Sequence, residues 1–413
     1  MSNRSLPACA LLALSVIALP AGAADPAFQA YFLQVCATAT GALATRCSET
    51  PAGLGDLSGD SESSLKPSQN LSHTKSSVGL AEVRSTEARE RAAGVREGGD
   101  SATGAAEAAA QLGPFSLLIH GRVTSLEKDR DPAVHSERGL DGDGWALEIG
   151  LDRRVSDRVF VGALAAFENV GYDFDPDLVT GTFVPADRAG SADTDSKSLT
   201  LYAVWNVSER SFIDTSLGYG RQQHDFRRNP VAQGAPRLSQ FQGLVTGDTD
   251  SRVWWAAVNA GLDFGSGATT FGPFVGLTYT NSRIDSYTER DLNSSGLHMA
   301  LAECRKTSVL GHLGLRADRA FSTSRGVFVP QLRVEYLHEF RDHALTINSQ
   351  YVLDSGPAVF TTTGDKPDQG RVSIGAGVNA ILPNGWIAFV NADTLVSGDL
   401  DRHRFTLGLR KEL

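Results

Sequence analysis

What this 413-residue sequence has little of closes off several classes of protein. Beyond residue 24 no window holds about 18 consecutive apolar residues, which excludes a bundle of membrane-spanning helices. Basic residues are outnumbered, 38 Lys and Arg against 48 Asp and Glu for a formal charge of -10, so nothing in the balance favours a nucleic-acid partner. Histidine is sparse, and His73 is the only one between the N-terminal apolar stretch and residue 114. Gly59-Asp60-Ser61 and Gly99-Asp100-Ser101 each look like an esterase nucleophile box, but their flanks cannot build the packed domain that would hold a His–Asp pair, so no enzymatic activity is expected. Asp141-Gly142-Asp143 and the series Asp173, Asp175, Asp177 lack the full spacing of a calcium loop and read as solvated loop acids. No metal or cofactor is expected.

What is abundant is glycine, 42 residues, within a regular rhythm from about Pro114 to Leu413. Roughly a dozen strand-like segments are joined alternately by tight turns and long polar loops, the pattern of an outer-membrane type of barrel. The tight connections fall at Ser156-Asp157, Ser208-Glu209, Gly265-Ser266-Gly267, Ser322-Thr323-Ser324 and Pro383-Asn384-Gly385, all turn chemistry. The long ones run near Asp129 to Asp143, Phe174 to Asp195, Arg227 to Asp248, Ser286 to Cys304 and Arg341 to Gln369, with only Gly398 to Asp401 short among them. The fold class expected is all-β: an antiparallel transmembrane β-barrel of about twelve strands over 114–413, its short turns facing the periplasm.

Upstream, Arg4, the apolar Leu6 to Leu19 and Ala21-Gly22-Ala23 read as an export signal over 1–23. In the oxidising compartment this implies, Cys36 and Cys47 can close a short disulfide loop worth about 2 to 3 kcal/mol. Cys304 is odd and reads as a free thiol at a strand start. Residues 24–78 are expected to be mostly unstructured: Ala27 to Val35 makes a short amphipathic helix, and Glu49 to Ser77 is rich in Ser, Gly and Pro. Gly79 to Glu97 reads as the best helix, with Glu87 and Arg91 four apart, inside a linker spanning 79–113. It is polar on nearly every face, so it is either a solvated surface helix or a resident of a charged barrel lumen.

Two strands show the period of two that separates a wall's faces. Near the C-terminus Phe405, Leu407, Leu409 and Leu413 share one face, and Arg404 and Arg410 the other. In Val327 to Phe340, Phe328, Pro330, Leu332, Val334 and Tyr336 oppose Gln331, Arg333, Glu335 and Glu339. Charges facing inward are costly in a dry core, so Gln331, Arg333, Glu335, Arg404 and Arg410 are candidates for a wet or helix-filled lumen. Trp205, Trp254 and Trp386 lie near strand ends, where aromatic girdles form.

These motifs resemble the C-terminal translocator domain of autotransporters, the type V secretion proteins. Val329 to Phe340 is similar to that family's P-x-L-x-x-x-Y-x-H-E-F strand, Phe360 to Gly364 followed by Gly370 to Ala380 to its F-x-x-x-G loop and G-x-G-x strand, and Asp143 to Val161 to its second hairpin. The resemblance implies a twelve-stranded barrel threaded by a helix, inserted into the outer membrane of a Gram-negative bacterium by the β-barrel assembly machinery with periplasmic chaperones. It also implies an insertion signal at Phe405, Leu407, Leu409 and Leu413, though Leu413 stands where the family usually ends in an aromatic residue. The function expected is to anchor, translocate or display a short N-terminal segment at the cell surface, as a monomer in outer-membrane lipid with an unknown surface ligand. A diffusion pore and an adhesin acting through its outer loops are the alternatives.

Overall fold

A computed structural model describes residues 26–50, 53–57, 61–100, 115–129, 137–179, 183–232, 241–398 and 400–412. The expected signal at 1–23, residues 101–113 of the linker and Leu413 lie outside these.

Twelve long strands make one wall: β1 (Phe115–Lys128), β2 (Leu140–Ser156), β3 (Val159–Phe174), β4 (Gly190–Asn206), β5 (Ser211–Arg228), β6 (Val245–Leu262), β7 (Thr269–Ile284), β8 (Cys304–Arg319), β9 (Gly326–Glu339), β10 (Gly370–Leu382), β11 (Trp386–Val396) and β12 (Leu400–Glu412). Each pairs antiparallel with the next, and β12 returns to β1 from Ser116 opposite Glu412 to Lys128 opposite Leu400. Closure leaves no unpaired edge, a condition for strands in lipid. All five tight turns lie at one end, where β1 starts and β12 finishes, and the long connections lie at the other.

The faces alternate strictly, with apolar side chains outside: Leu117, Ile119 and Val123 on β1, Leu313 and Leu315 on β8, and Phe405, Leu407 and Leu409 on β12 are all exposed. The intervening His120, Arg122, Glu335, Arg404 and Arg410 are buried inside. A soluble barrel would have the reverse arrangement. Strands also continue into segments that read as loops, carrying Asp141, Asp143, Asp193, Asp195 and Asp248 in register above the apolar zone. Composition turns polar there, while the ladder of backbone hydrogen bonds runs on.

The expectation of a mostly unstructured 24–78 segment is corrected. It holds α1 (Pro26–Thr38), α2 (Gly41–Ser48) and α3 (Ser61–Leu65), and the long helix α4 (Ser68–Asp100) begins eleven residues before Gly79. The segment has few apolar residues of its own, but it shares a core with distant loops. Phe28, Tyr31, Phe32 and Val35 of α1 and Leu43 of α2 pack with Leu297, Met299, Leu301, Leu345, Ile347 and Tyr351. Met299, Leu301, Ile347 and Tyr351 belong to a small four-stranded sheet built from Tyr287–Thr288, Met299–Leu301, Thr346–Tyr351 and Phe360–Thr363, and Leu297 and Leu345 flank it. The polar start of α4, which reads as linker, is held by the inner wall: Ser72 donates to the Arg138 carbonyl (2.7 Å), and His73 Nε2 meets Thr194 Oγ1 (2.7 Å).

Candidate functional site

Helix α4 runs down the lumen from the loop end toward the turn end, and its charges bind mainly the wall. The expected pairing of Glu87 with Arg91 on the helix does not form. Glu87 contacts Arg84 (3.1 Å) and Arg122 of β1, while Arg91 reaches Asp152 of β2. Arg84 also binds Glu148 and Glu168 (2.9 Å), and Arg122 binds Glu168 as well. Three carboxylates and two guanidinium groups thus form one buried cluster that ties α4 to β1, β2 and β3. Glu87, His120 and Glu148 also place their ligand atoms within 4.8 Å of one another. Both carboxylates already face Arg84 or Arg122, so this donor set is an ion-pair network and no metal centre is assigned to it.

On the opposite wall Arg89 grips Glu335 with two bonds (2.7 and 2.8 Å), and His312 Nδ1 lies 3.0 Å from the same carboxylate. Arg333 binds Glu90 (2.6 Å) and Asp393 (2.7 Å), with Arg404 3.8 Å from Glu90 and 3.6 Å from Asp393. Forked guanidinium–carboxylate contacts of this kind fix orientation as well as position. Arg410 donates to Ser116 (3.2 Å). Gln331 lines a cavity of about 180 Å³ between the wall and the lower part of α4, together with Asn259, Asn379 and Asn391. The lumen-facing candidates therefore lie inside, four of them in polar or ionic contact and Gln331 at the cavity. Period-two reading missed Arg122, Glu148 and Glu168 because it covered only two strands, although the same alternation marks β1, β2 and β3, and Arg84 lies on the helix, where strand alternation carries no signal.

The loop end is closed by the cap. Cys36 and Cys47 are bonded with their Cα atoms 5.5 Å apart, joining α1 to α2. Thr40 N donates to the Leu353 carbonyl (2.9 Å), Ser355 Oγ to that of Thr38 (2.8 Å), and Ala39 bridges Asp354. Arg228 at the end of β5 makes two bonds to Glu289 (2.9 and 2.6 Å) and one to the Leu297 carbonyl (2.8 Å), anchoring the cap sheet to the wall. Burial pushes the pKa of Tyr31 and of Tyr351 above the ordinary phenol value. Burial also opposes the charge on Asp291, but hydrogen bonds from the Gly296 and Ser295 amides and the Ser295 hydroxyl outweigh it and hold that carboxyl below its usual range. Cys304 is a free, buried thiol at the start of β8 and part of the cap core.

The acids weighed as calcium ligands do not converge: Asp173 pairs with Arg188 (2.7 Å) on an exposed surface, and Asp177 with Arg138 (2.8 Å) in a buried one. Trp205, Trp254 and Trp386 point outward with Trp145, whereas Trp255 is fully buried in the lumen.

The autotransporter β-domain model matches residues 129–393, more than half of the chain. This chain belongs to the autotransporter β-domain family. No curated protein sequence matches it. The translocator domain of the autotransporter NalP from Neisseria meningitidis is similar in fold, with a TM-score of 0.60 at 13% identity over 84% of this chain and all of that one. The β-domain of the Bordetella autotransporter BrkA follows at TM-score 0.49 and 17% identity over 73% of this chain and all of that one. The transport unit of AIDA-I from Escherichia coli stands at 0.45 and 11%, over 73% and 90%. The first of these shares the barrel fold. Membership places this autotransporter barrel in the outer membrane of a Gram-negative bacterium, where its apolar outer face meets lipid.

Proposed function

We propose that this autotransporter barrel holds its own N-terminal segment at the cell surface as a resident, disulfide-linked cap. The observation that carries the reading is the core that α1 and α2 share with the loop strands, at the barrel end opposite the short turns. Helix α4 then passes down the bore from that cap to the turn end, the path of a chain anchored from inside its barrel. A freely released segment would not bury Phe28, Phe32, Val35 and Leu43 completely against loops of the wall. Leu80, Ala81, Val83, Ala88 and Ala92 of α4 are buried in the lumen, which counts against an open diffusion pore.

The partners in this reading are outer-membrane lipid, periplasmic chaperones and the β-barrel assembly machinery, with the chain acting as a monomer. Phe405, Leu407 and Leu409 on the outer face of β12 serve as the insertion signal together with Leu413. The test is an epitope inserted at Leu54, which is 72% exposed beside the cap. Antibody should label it on intact cells, and labelling only after the outer membrane is permeabilised would refute the orientation.

A further inference from the structure

On the outer wall of β4 to β8 five basic side chains stand in one row. The register sets Lys197 opposite Arg221, Arg221 opposite Arg252, Arg252 opposite Arg283, and Arg283 opposite Arg305. All five face outward with the apolar residues of their strands. Like charges directly opposite one another destabilise a sheet, so such a row needs anions. The chain supplies ion-pair partners for three of the five, and Asp250 acts on Arg221 only from beyond ion-pair distance. Asp285 binds Arg252 (3.1 Å) and lies 3.7 Å from Arg283, and Glu303 binds Arg283 and Arg305. Lys197 and Arg221 make no ion pair among the described residues.

The height of the row is as informative as its charge. One outward position closer to the turns come Leu199, Tyr219 and Trp254, themselves in register, and below them Leu201 and Leu217. Along β6 the outward face is apolar from Leu262 to Trp254. At roughly 3.3 Å per residue and a strand tilt of about 40° this rises about 20 Å, close to the apolar band of a membrane barrel. Arg252 follows at once. The cations therefore stand where hydrocarbon gives way to headgroups, just above an aromatic rim. At the corresponding edge of β9, by contrast, the outward Val334 and Tyr336 are succeeded by His338 and Phe340, with no Lys or Arg.

We propose that Lys197, Arg221, Arg252, Arg283 and Arg305 form a binding row for the phosphorylated headgroup of a lipid in the leaflet beside the loop end. Guanidinium groups suit phosphate because their planar donors bind its oxygens in pairs. Leu199, Tyr219 and Trp254 below the row lie where the acyl chains of the same lipid would run. This rests on the orientation proposed above only for the source of the lipid, which becomes the phosphorylated glycolipid of the outer leaflet.

The experiment uses the full chain in detergent, with bisphosphorylated lipid A in mixed micelles as probe. Wild type should bind it, and the Lys197→Gln/Arg221→Gln/Arg252→Gln variant should bind on the order of a hundredfold more weakly, from about a fivefold share per lost cation near a charged surface. The Arg221→Lys/Arg252→Lys variant should lie between the two. Fast migration of unheated protein in SDS gels checks that each variant folds, and Arg221→Gln alone replaces the triple variant if it does not. Unchanged affinity in the triple variant, equal binding of dephosphorylated lipid, or displacement by inorganic phosphate at equal concentration would each overturn the proposal. Binding in micelles does not depend on orientation, so a Leu54 epitope found on the periplasmic side would remove the orientation and leave the row.

Discussion

Replacing Arg84 with Met should loosen the helix from its barrel. Arg84 is 4% exposed in its side chain and faces Glu87, Glu148 and Glu168, whose side chains are 5%, 1% and 2% exposed. Without it three carboxylates are left with Arg122. Removing one partner from a buried ion pair costs about 3 to 5 kcal/mol, because the other charge stays desolvated and unpaired. The lumen holds a cavity from which water can reach part of α4, so the lower end of that range, about 3 kcal/mol, is the working figure. It corresponds to roughly a hundredfold shift toward the undocked helix. The assay is single-channel recording of the full-length protein in planar bilayers, paired with the temperature at which the folded band disappears from SDS gels. Arg84→Met should open more often and lose its folded band at a lower temperature. Adding Glu168→Gln removes one of the stranded charges and should recover part of both effects. The reasoning fails if Arg84→Met is as closed and as heat-resistant as wild type, or if the double variant is worse than the sum of its single changes.

Other consequences concern the cap. Replacing Cys36 and Cys47 with Ser should weaken it by about 2 to 3 kcal/mol, seen as faster proteolysis between α1 and α3 with no change in the barrel's heat resistance. Gly296→Ala should dislodge the cap more severely, because Gly296 has φ +77° and an added Cβ would lie 2.4 Å from the Leu43 amide nitrogen. Protease sensitivity near Leu54 would read that out, and an unchanged digestion pattern would count against the docking geometry. For Tyr31 and Tyr351 the folded pKa is raised above the unfolded value of about 10. Their contribution is therefore complete below that pH and is lost as pH rises further, since the unfolded cap ionises first. An alkaline titration followed by phenolate absorbance should show Tyr31 and Tyr351 among the late-ionising tyrosines, and Phe28→Ala, where the cap core is opened, should lower the number of late-ionising tyrosines by two.

The wall was legible from local pattern because its physics is local. Turn residues at Ser156-Asp157 or Pro383-Asn384-Gly385 reverse the chain by their own backbone preferences, and strand alternation follows from backbone geometry whatever the partner. The Cys36–Cys47 loop was legible for the same reason, since eleven residues separate its ends. The assignment of faces needed closure. Only a completed cylinder places Arg333, Glu335, Arg404 and Arg410 against a helix that is itself charged, and only then does a polar helix have a stable address.

The cap could not be read locally. Phe28 and Phe32 meet Ile347 and Tyr351 across more than three hundred residues of chain, and neither segment buries enough surface to fold alone. The basic row has the same character. Lys197, Arg221, Arg252, Arg283 and Arg305 are unremarkable one by one and become a row only through register across five strands. Sequence by itself determined the strand rhythm and the chemistry of each turn. Tertiary structure decided which face is wet, what fills the bore and what closes its mouth, because those depend on long-range burial and charge pairing that no window of neighbouring residues contains.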